Sequence, residues 1–142
     1  MDLFQIDFGG QAGKKVLGID LGTTNSLVAF MDLTGPVVIP DPAGRNMVPS
    51  IVSLSDDGHS YIVGEEARRR LITRPDHSVY SVKRLMGRGA ADIAGEIKLF
   101  PFKIAEGSES VLRLRMGDRT LTPPEVSAQV LRRLKANAES YL

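Results

Sequence analysis

The densest concentration of chemistry-bearing residues in this chain is the run Gly18-Ile19-Asp20-Leu21-Gly22-Thr23-Thr24-Asn25-Ser26. Gly22 has no Cβ and lets a backbone or a phosphate approach closely, Thr23 and Thr24 add hydroxyl donors, and successive amides around such a turn can form an anion-binding nest. Asp20 stands beside them as a carboxylate. It would repel a bare phosphate, but it fits if a hard cation such as Mg²⁺, keeping its own waters, lies between the two. Gly, Thr, Asn and Asp are also what any tight turn prefers, so the turn chemistry alone leaves an ordinary polar hairpin as the simpler reading. A second candidate is Lys83. Taken singly it reads as a surface lysine whose alkyl stem covers its own helix.

The elements that must hold these residues follow from the apolar pattern. Val16 to Leu21, broken only by Asp20, and Leu27-Val28-Ala29-Phe30 predict two paired strands around the turn, and Val37-Val38-Ile39 adds a third to make a meander. Asp41 to Arg45 is a loop, Pro49 biases Val48 to an extended conformation, and Ile51 to Leu54 is β-prone before the turn Ser55-Asp56-Asp57-Gly58. From Gly64 the period becomes helical, with Ala67, Leu71 and Ile72 on one face and Arg68-Arg69-Arg70 mostly solvated. Asp76 is placed to cap a second helix carrying Val79, Val82, Leu85 and Met86, with Lys83 next to its apolar face and Gly87 at its end.

A short helix over residues 91–97 is expected next. Extended segments at 102–105, 111–116 and 119–121 follow, the last two joined by a Gly117-Asp118 turn into a small antiparallel sheet. Thr122 and Glu125 then form a capping box around Pro123, opening a helix with Val126, Val130, Leu131, Leu134, Ala138 and Tyr141 on one stripe. No stop signal follows, and the surface that covers this stripe is expected outside the sequence.

Composition bounds the function. The 142 residues are 42% hydrophobic, enough for a core, and 18 basic against 17 acidic residues leave a formal charge of +1. That balance argues against nucleic acid or an anionic membrane as an obligate partner. Absence of Cys removes disulfides, thiolate metal sites and Cys nucleophiles together. Met1 to Gly13 lacks the pattern of a secretory signal and no apolar run is long enough for a membrane span, so a cytoplasmic protein is expected. Residues 1–14 read as a flexible extension, although Leu3, Phe4, Ile6 and Phe8 are apolar enough to add a strand or meet a partner. His59 and His77 read as surface residues, which leaves no His-based triad or multi-His metal site.

The segment Gly18 to Ser26 with Leu27-Val28-Ala29 closely resembles the first phosphate-binding hairpin of the DnaK-type chaperones, the seventy-kilodalton heat-shock family. Four later blocks agree in order and spacing: Gly44-Arg45 with Val48-Pro49-Ser50, Ser81 to Arg88, Phe100 to Ile104, and Pro123 to Ala128. The resemblance implies an α/β chain of actin-like ATPase (ribonuclease H-like) fold. Residues 15–142 would supply part of the first lobe, with about 51–122 as its outer subdomain, and the fragment alone would be inactive. It further implies that Gly22, Thr23, Thr24 and Asn25 cradle the phosphates of ATP or ADP, that Asp20 holds Mg²⁺ through water, and that Lys83 is catalytic with Arg84 at the same cleft. Clients would be unfolded polypeptides, with a J-domain co-chaperone and a nucleotide-exchange factor as partners.

Leu27, Met47-Val48, the Ser-Val before Lys83 and the extension are similar to the HscA branch, which serves iron–sulfur cluster assembly. A general folding chaperone and that branch stand as rivals. A sugar kinase or filament-forming relative shares the fold but is not expected to carry the Lys83 block, and a non-enzymatic interaction module is a further alternative.

Overall fold

In the computed structural model, which describes residues 4–5, 15–100 and 102–142, Phe4–Gln5 (β1) pairs antiparallel with Val16–Leu21 (β2). The rest of the expected flexible extension over residues 1–14 lies outside the described residues. β2 returns as Asn25–Asp32 (β3), and Gly35–Val38 (β4) completes the meander. A strand's side chains alternate between faces; Leu17, Ile19 and Leu21 accordingly reach the core while Val16, Gly18 and Asp20 are exposed. Val48–Pro49 (β5) joins β3 opposite Asn25 and Ser26, on the edge that β4 occupies further along.

A second sheet is centred on Ile51–Leu54 (β6), every residue of which is buried. Tyr61–Val63 (β7) flanks it on one side, and after the helix Glu65–Thr73 (α1) the strand Ser78–Tyr80 (β8) flanks it on the other. Lys103–Ile104 (β9), Leu114–Met116 (β10) and Arg119–Leu121 (β11) form the expected small sheet around the Gly117-Asp118 turn. The chain then enters Pro123–Tyr141 (α2) through the capping box. The Glu125 amide donates to Thr122 Oγ1 at 3.4 Å, and the Thr122 amide donates to Glu125 Oε2 at 2.8 Å. α2 packs on β2, β3, β6, β7 and the turn at Val82–Leu85, so it joins the first two sheets to the segment carrying Lys83.

The stripe on α2 has its partner in this chain. Val126, Val130, Leu134 and Ala138 are all buried in one core cluster with Leu17, Val28, Val52 and Leu85. The expectation of an external covering surface fails for them, because strands of both sheets pack against the helix. Leu131 remains only half-buried and Tyr141 is exposed at its margin, tilted against Phe30 at 6.2 Å.

The helix expected from Asp76 to Gly87 is instead three short pieces: a 3-10 turn at Pro75–His77, β8, and a 3-10 turn at Val82–Leu85. The free edge of β6 takes Ser78, Val79 and Tyr80 as a strand, through the pairs Ser53 with Ser78, Val52 with Val79 and Ile51 with Tyr80. Tertiary pairing overrides a helical spacing that was real but short. Val79, Val82 and Leu85 are buried nevertheless. The helix over residues 91–97 likewise resolves into 3-10 turns at Ala90–Ile93 and Ile97–Leu99.

Three expectations about exposure also change. Ile72 is exposed rather than part of the α1 face. Arg70 is not solvated: its side chain is 15% exposed, pairs with Asp56 at 2.9 Å, and donates to Ser53 Oγ and the Leu54 carbonyl. His77 is largely buried too, its Nε2 2.9 Å from Arg74 Nη2 and its Nδ1 3.1 Å from Asp76 Oδ2.

Candidate functional site

Leu21 pairs with Ser26, and Gly22 to Thr24 connect β2 to β3, whose first residue, Asn25, pairs with Pro49 instead. A Cβ at Gly22 would overlap the Asn25 carbonyl oxygen, so the turn closes only around glycine. Thr24 and Asn25 are exposed, Gly22 and Thr23 half-buried, and Asp20 projects to solvent from β2 one pair before the turn. The turn does not stand alone. The Gly22 amide donates to Ser26 Oγ at 3.2 Å, Ser50 Oγ donates to the Gly22 carbonyl at 2.8 Å, and the Ser50 amide donates to the Thr24 carbonyl at 2.9 Å.

The loop before β5 is held just as firmly. Asp41 accepts from the Ala43 and Arg45 amides at 2.9 Å each and pairs with the Arg45 guanidinium at 2.7 Å. Burial pushes the Asp41 carboxyl up, but the Arg45 amide and guanidinium and the Ala43 amide outweigh it and hold the group below its ordinary value. This loop delivers Val48 and Ser50 to the side of the turn.

Lys83 arrives from the opposite direction. Ser81 takes a left-handed conformation, with φ 56° and ψ 31°, which breaks β8 and starts the 3-10 turn at Val82. Val82 and Leu85 are buried as its anchors, and Lys83 between them is exposed and forms no ion pair among the described residues. Leu21, Gly22, Ser50, Lys83, Val126 and Ser127 then line one narrow cleft. Its free volume is about 10 Å³, room for no more than one water, so it is a seam holding the turn and Lys83 together rather than a cavity for a ligand. Anything bound by both must lie on the open side.

Arg84 does not share that cleft. Successive residues of a 3-10 turn diverge by about 120°, and Arg84 lines a different hollow with Tyr80, Arg88, Glu96 and Phe100. A roomier cleft of about 400 Å³, lined among others by Asp41, Arg45, Tyr61, Glu66 and Arg132, contains none of the candidate residues.

The pattern of one glycine-closed turn, one neighbouring carboxylate and one free lysine brought from some sixty residues away matches a known family along nearly its whole length. The family model described as Hsp70 protein matches residues 16–142. The chain belongs to the Hsp70 family.

Members of the Hsp70 family have the actin-like ATPase fold, are ATPases, and bind nucleotide, generally with Mg²⁺; they act as chaperones that bind unfolded polypeptides and co-chaperones. The mixed sheets and helices seen here are in keeping with that fold. No group of three or more His, Cys, Asp or Glu side chains converges among the described residues. The lone Asp20 carboxylate fits an ion that keeps most of its waters and takes its remaining ligands from phosphate oxygens. Ser26 and Ser50 escaped the reading of the Hsp70 blocks as site residues. The signal was present, since Ser50 closes the block Val48-Pro49-Ser50 that matches collinearly with the turn.

Proposed function

We propose that this chain provides the phosphate-handling part of an ATP-hydrolysing Hsp70 chaperone that works in the cytoplasm on unfolded polypeptides, with a J-domain co-chaperone and a nucleotide-exchange factor. The observation that carries the reading is the shared cleft of Gly22 and Lys83, two positions remote in sequence. In this reading the amides and hydroxyls of Thr23, Thr24 and Asn25 cradle the β- and γ-phosphates, Asp20 holds Mg²⁺ through water, and the Lys83 ammonium faces the terminal phosphoryl group. Mg²⁺, when bound, neutralises charge on the phosphate oxygens. Lys83 stabilises the charge that develops as the attacking water displaces the ADP oxygen.

Lys83→Ala in the full-length protein tests this. Hydrolysis should fall about a hundredfold while nucleotide still binds, because a charge aimed at the transferring group acts mainly in the transition state. An unchanged rate would return Lys83 to a surface role. The 142 residues alone should release no phosphate above background, since in this reading the turn and Lys83 meet only the phosphates and none of the candidate residues holds the adenosine. Turnover by the purified fragment that vanishes with Lys83→Ala would refute that incompleteness.

A second reading narrows the client. Leu27, Met47-Val48 and Ser81-Val82 are the residues similar to the HscA branch, and Val48 and Val82 are both buried beside the turn and Lys83. ATPase stimulation by an iron–sulfur scaffold protein, with none by a generic unfolded peptide, would favour that branch.

A further inference from the structure

We propose that Ser50, together with Ser26, is a positioning residue that aims the amides of the phosphate-binding turn. The inference rests on the reading of that turn given above. Each serine hydroxyl carries one proton. Ser50 Oγ gives its proton to the Gly22 carbonyl at 2.8 Å, so the 2.8 Å contact between the two hydroxyls must be donated by Ser26. Ser26 Oγ in turn accepts from the Gly22 amide at 3.2 Å. The ring therefore runs in one direction only: Gly22 amide to Ser26, Ser26 to Ser50, Ser50 to the Gly22 carbonyl.

The orientation of the peptide planes follows. In a trans peptide the carbonyl and the following amide point to opposite sides, and no peptide bond among the described residues is cis. Ser50 draws two carbonyls of the turn toward itself, Gly22 through its hydroxyl and Thr24 through its amide at 2.9 Å. The amides on the far side of those two planes are those of Thr23 and Asn25. Both are turned away from Ser50, and Thr23 and Asn25 are, with Thr24, the residues assigned to the phosphates in that reading. Ser26 and Ser50 are buried, so neither hydroxyl can exchange its partner for water when the ring is broken. Ser50 also lines the seam with Lys83, which keeps the amides and the ammonium in register.

The test uses the full-length protein, with Ser26→Ala, Ser50→Ala and Ser50→Thr. ATP and adenosine binding are measured, together with hydrogen exchange at the Gly22 amide. Each alanine variant should weaken ATP about tenfold and leave adenosine unchanged, because adenosine has no phosphate to meet the turn. Ser50→Thr should restore ATP affinity, and Gly22 exchange should accelerate only in the alanine variants. An equal loss for ATP and adenosine, or unaltered ATP affinity in a folded variant, overturns the proposal. A wild-type protein that binds no ATP defeats the phosphate reading instead. Gly22 exchange then decides the ring by itself, with identical rates in all variants overturning it. Should alanine unfold the chain, Ser50→Cys, a weak donor of similar shape, takes its place with the same expectations.

Discussion

Gly22 and Ser81 show how single residues set this site. At Gly22 any side chain meets the Asn25 carbonyl, so Gly22→Ala should cost about 3 kcal/mol or more and abolish nucleotide binding, as thermal denaturation and titration would show. Ser81 is the only non-glycine residue with positive φ among the described ones. A left-handed residue with a Cβ costs roughly 1–2 kcal/mol, so Ser81→Gly should melt no lower than wild type, and Ser81→Val, β-branched at such a position, should melt lower. Asp20, Gly22 and the threonines stand out by residue type because turn chemistry is local, but residue type alone leaves them an ordinary polar turn, and their assignment to phosphate comes from the family resemblance. Lys83 was legible only through its block: its exposure is that of any surface lysine, and what singles it out is a neighbour distant in sequence. Ser26 and Ser50 each close a block that matches the family, but a serine in a strand and another after a proline acquire their role only on pairing, which the blocks do not spell out.

Elements with strong local signals formed where the pattern placed them. The hairpin around Gly22, the capped start of α2 and the Gly117-Asp118 turn each carry their own stereochemical instructions. Thr122→Ala should therefore cost about 1 kcal/mol, measured by chemical denaturation, because it leaves the Glu125 amide without its cap. The segment after Asp76 went the other way. Its apolar residues were rightly marked for burial, but Val79 is buried as the edge partner of Val52 rather than on a helix. Spacing alone could not reveal an unfilled strand edge contributed by Ile51–Leu54.

For the whole molecule, α2 is the element that joins the first two sheets to the Lys83 segment. Leu134 is fully buried in the core cluster, and Leu134→Ala should cost about 2–5 kcal/mol, seen as a lowered denaturation midpoint. Acid acts in part through Asp41. Its folded-state pKa lies below the ordinary 3.8, so its stabilising contribution is complete above that pH and is lost as the pH falls through the depressed value. Stability measured from pH 6 down to about 2 should show this loss, and the difference between wild type and Asp41→Asn should isolate Asp41's share from that of Asp56, Asp57 and Asp76, whose carboxyls are also held below the ordinary value. Such a scan reads the loop that delivers Ser50, independently of any nucleotide.

The serine ring also limits how far the turn can travel. Its partners lie 24 and 28 residues apart along the chain, so a synthetic peptide or a grafted loop carrying residues 18–26 brings the glycine and threonines but leaves the clasp behind. Such a transplant is an ordinary hairpin, free to rotate its peptide planes. The same separation orders assembly: a local hairpin closes in about 1–10 μs, whereas the clasp must wait for the chain to return through the Asp41 loop. The turn therefore acquires its final shape only after the strands on either side of it have formed.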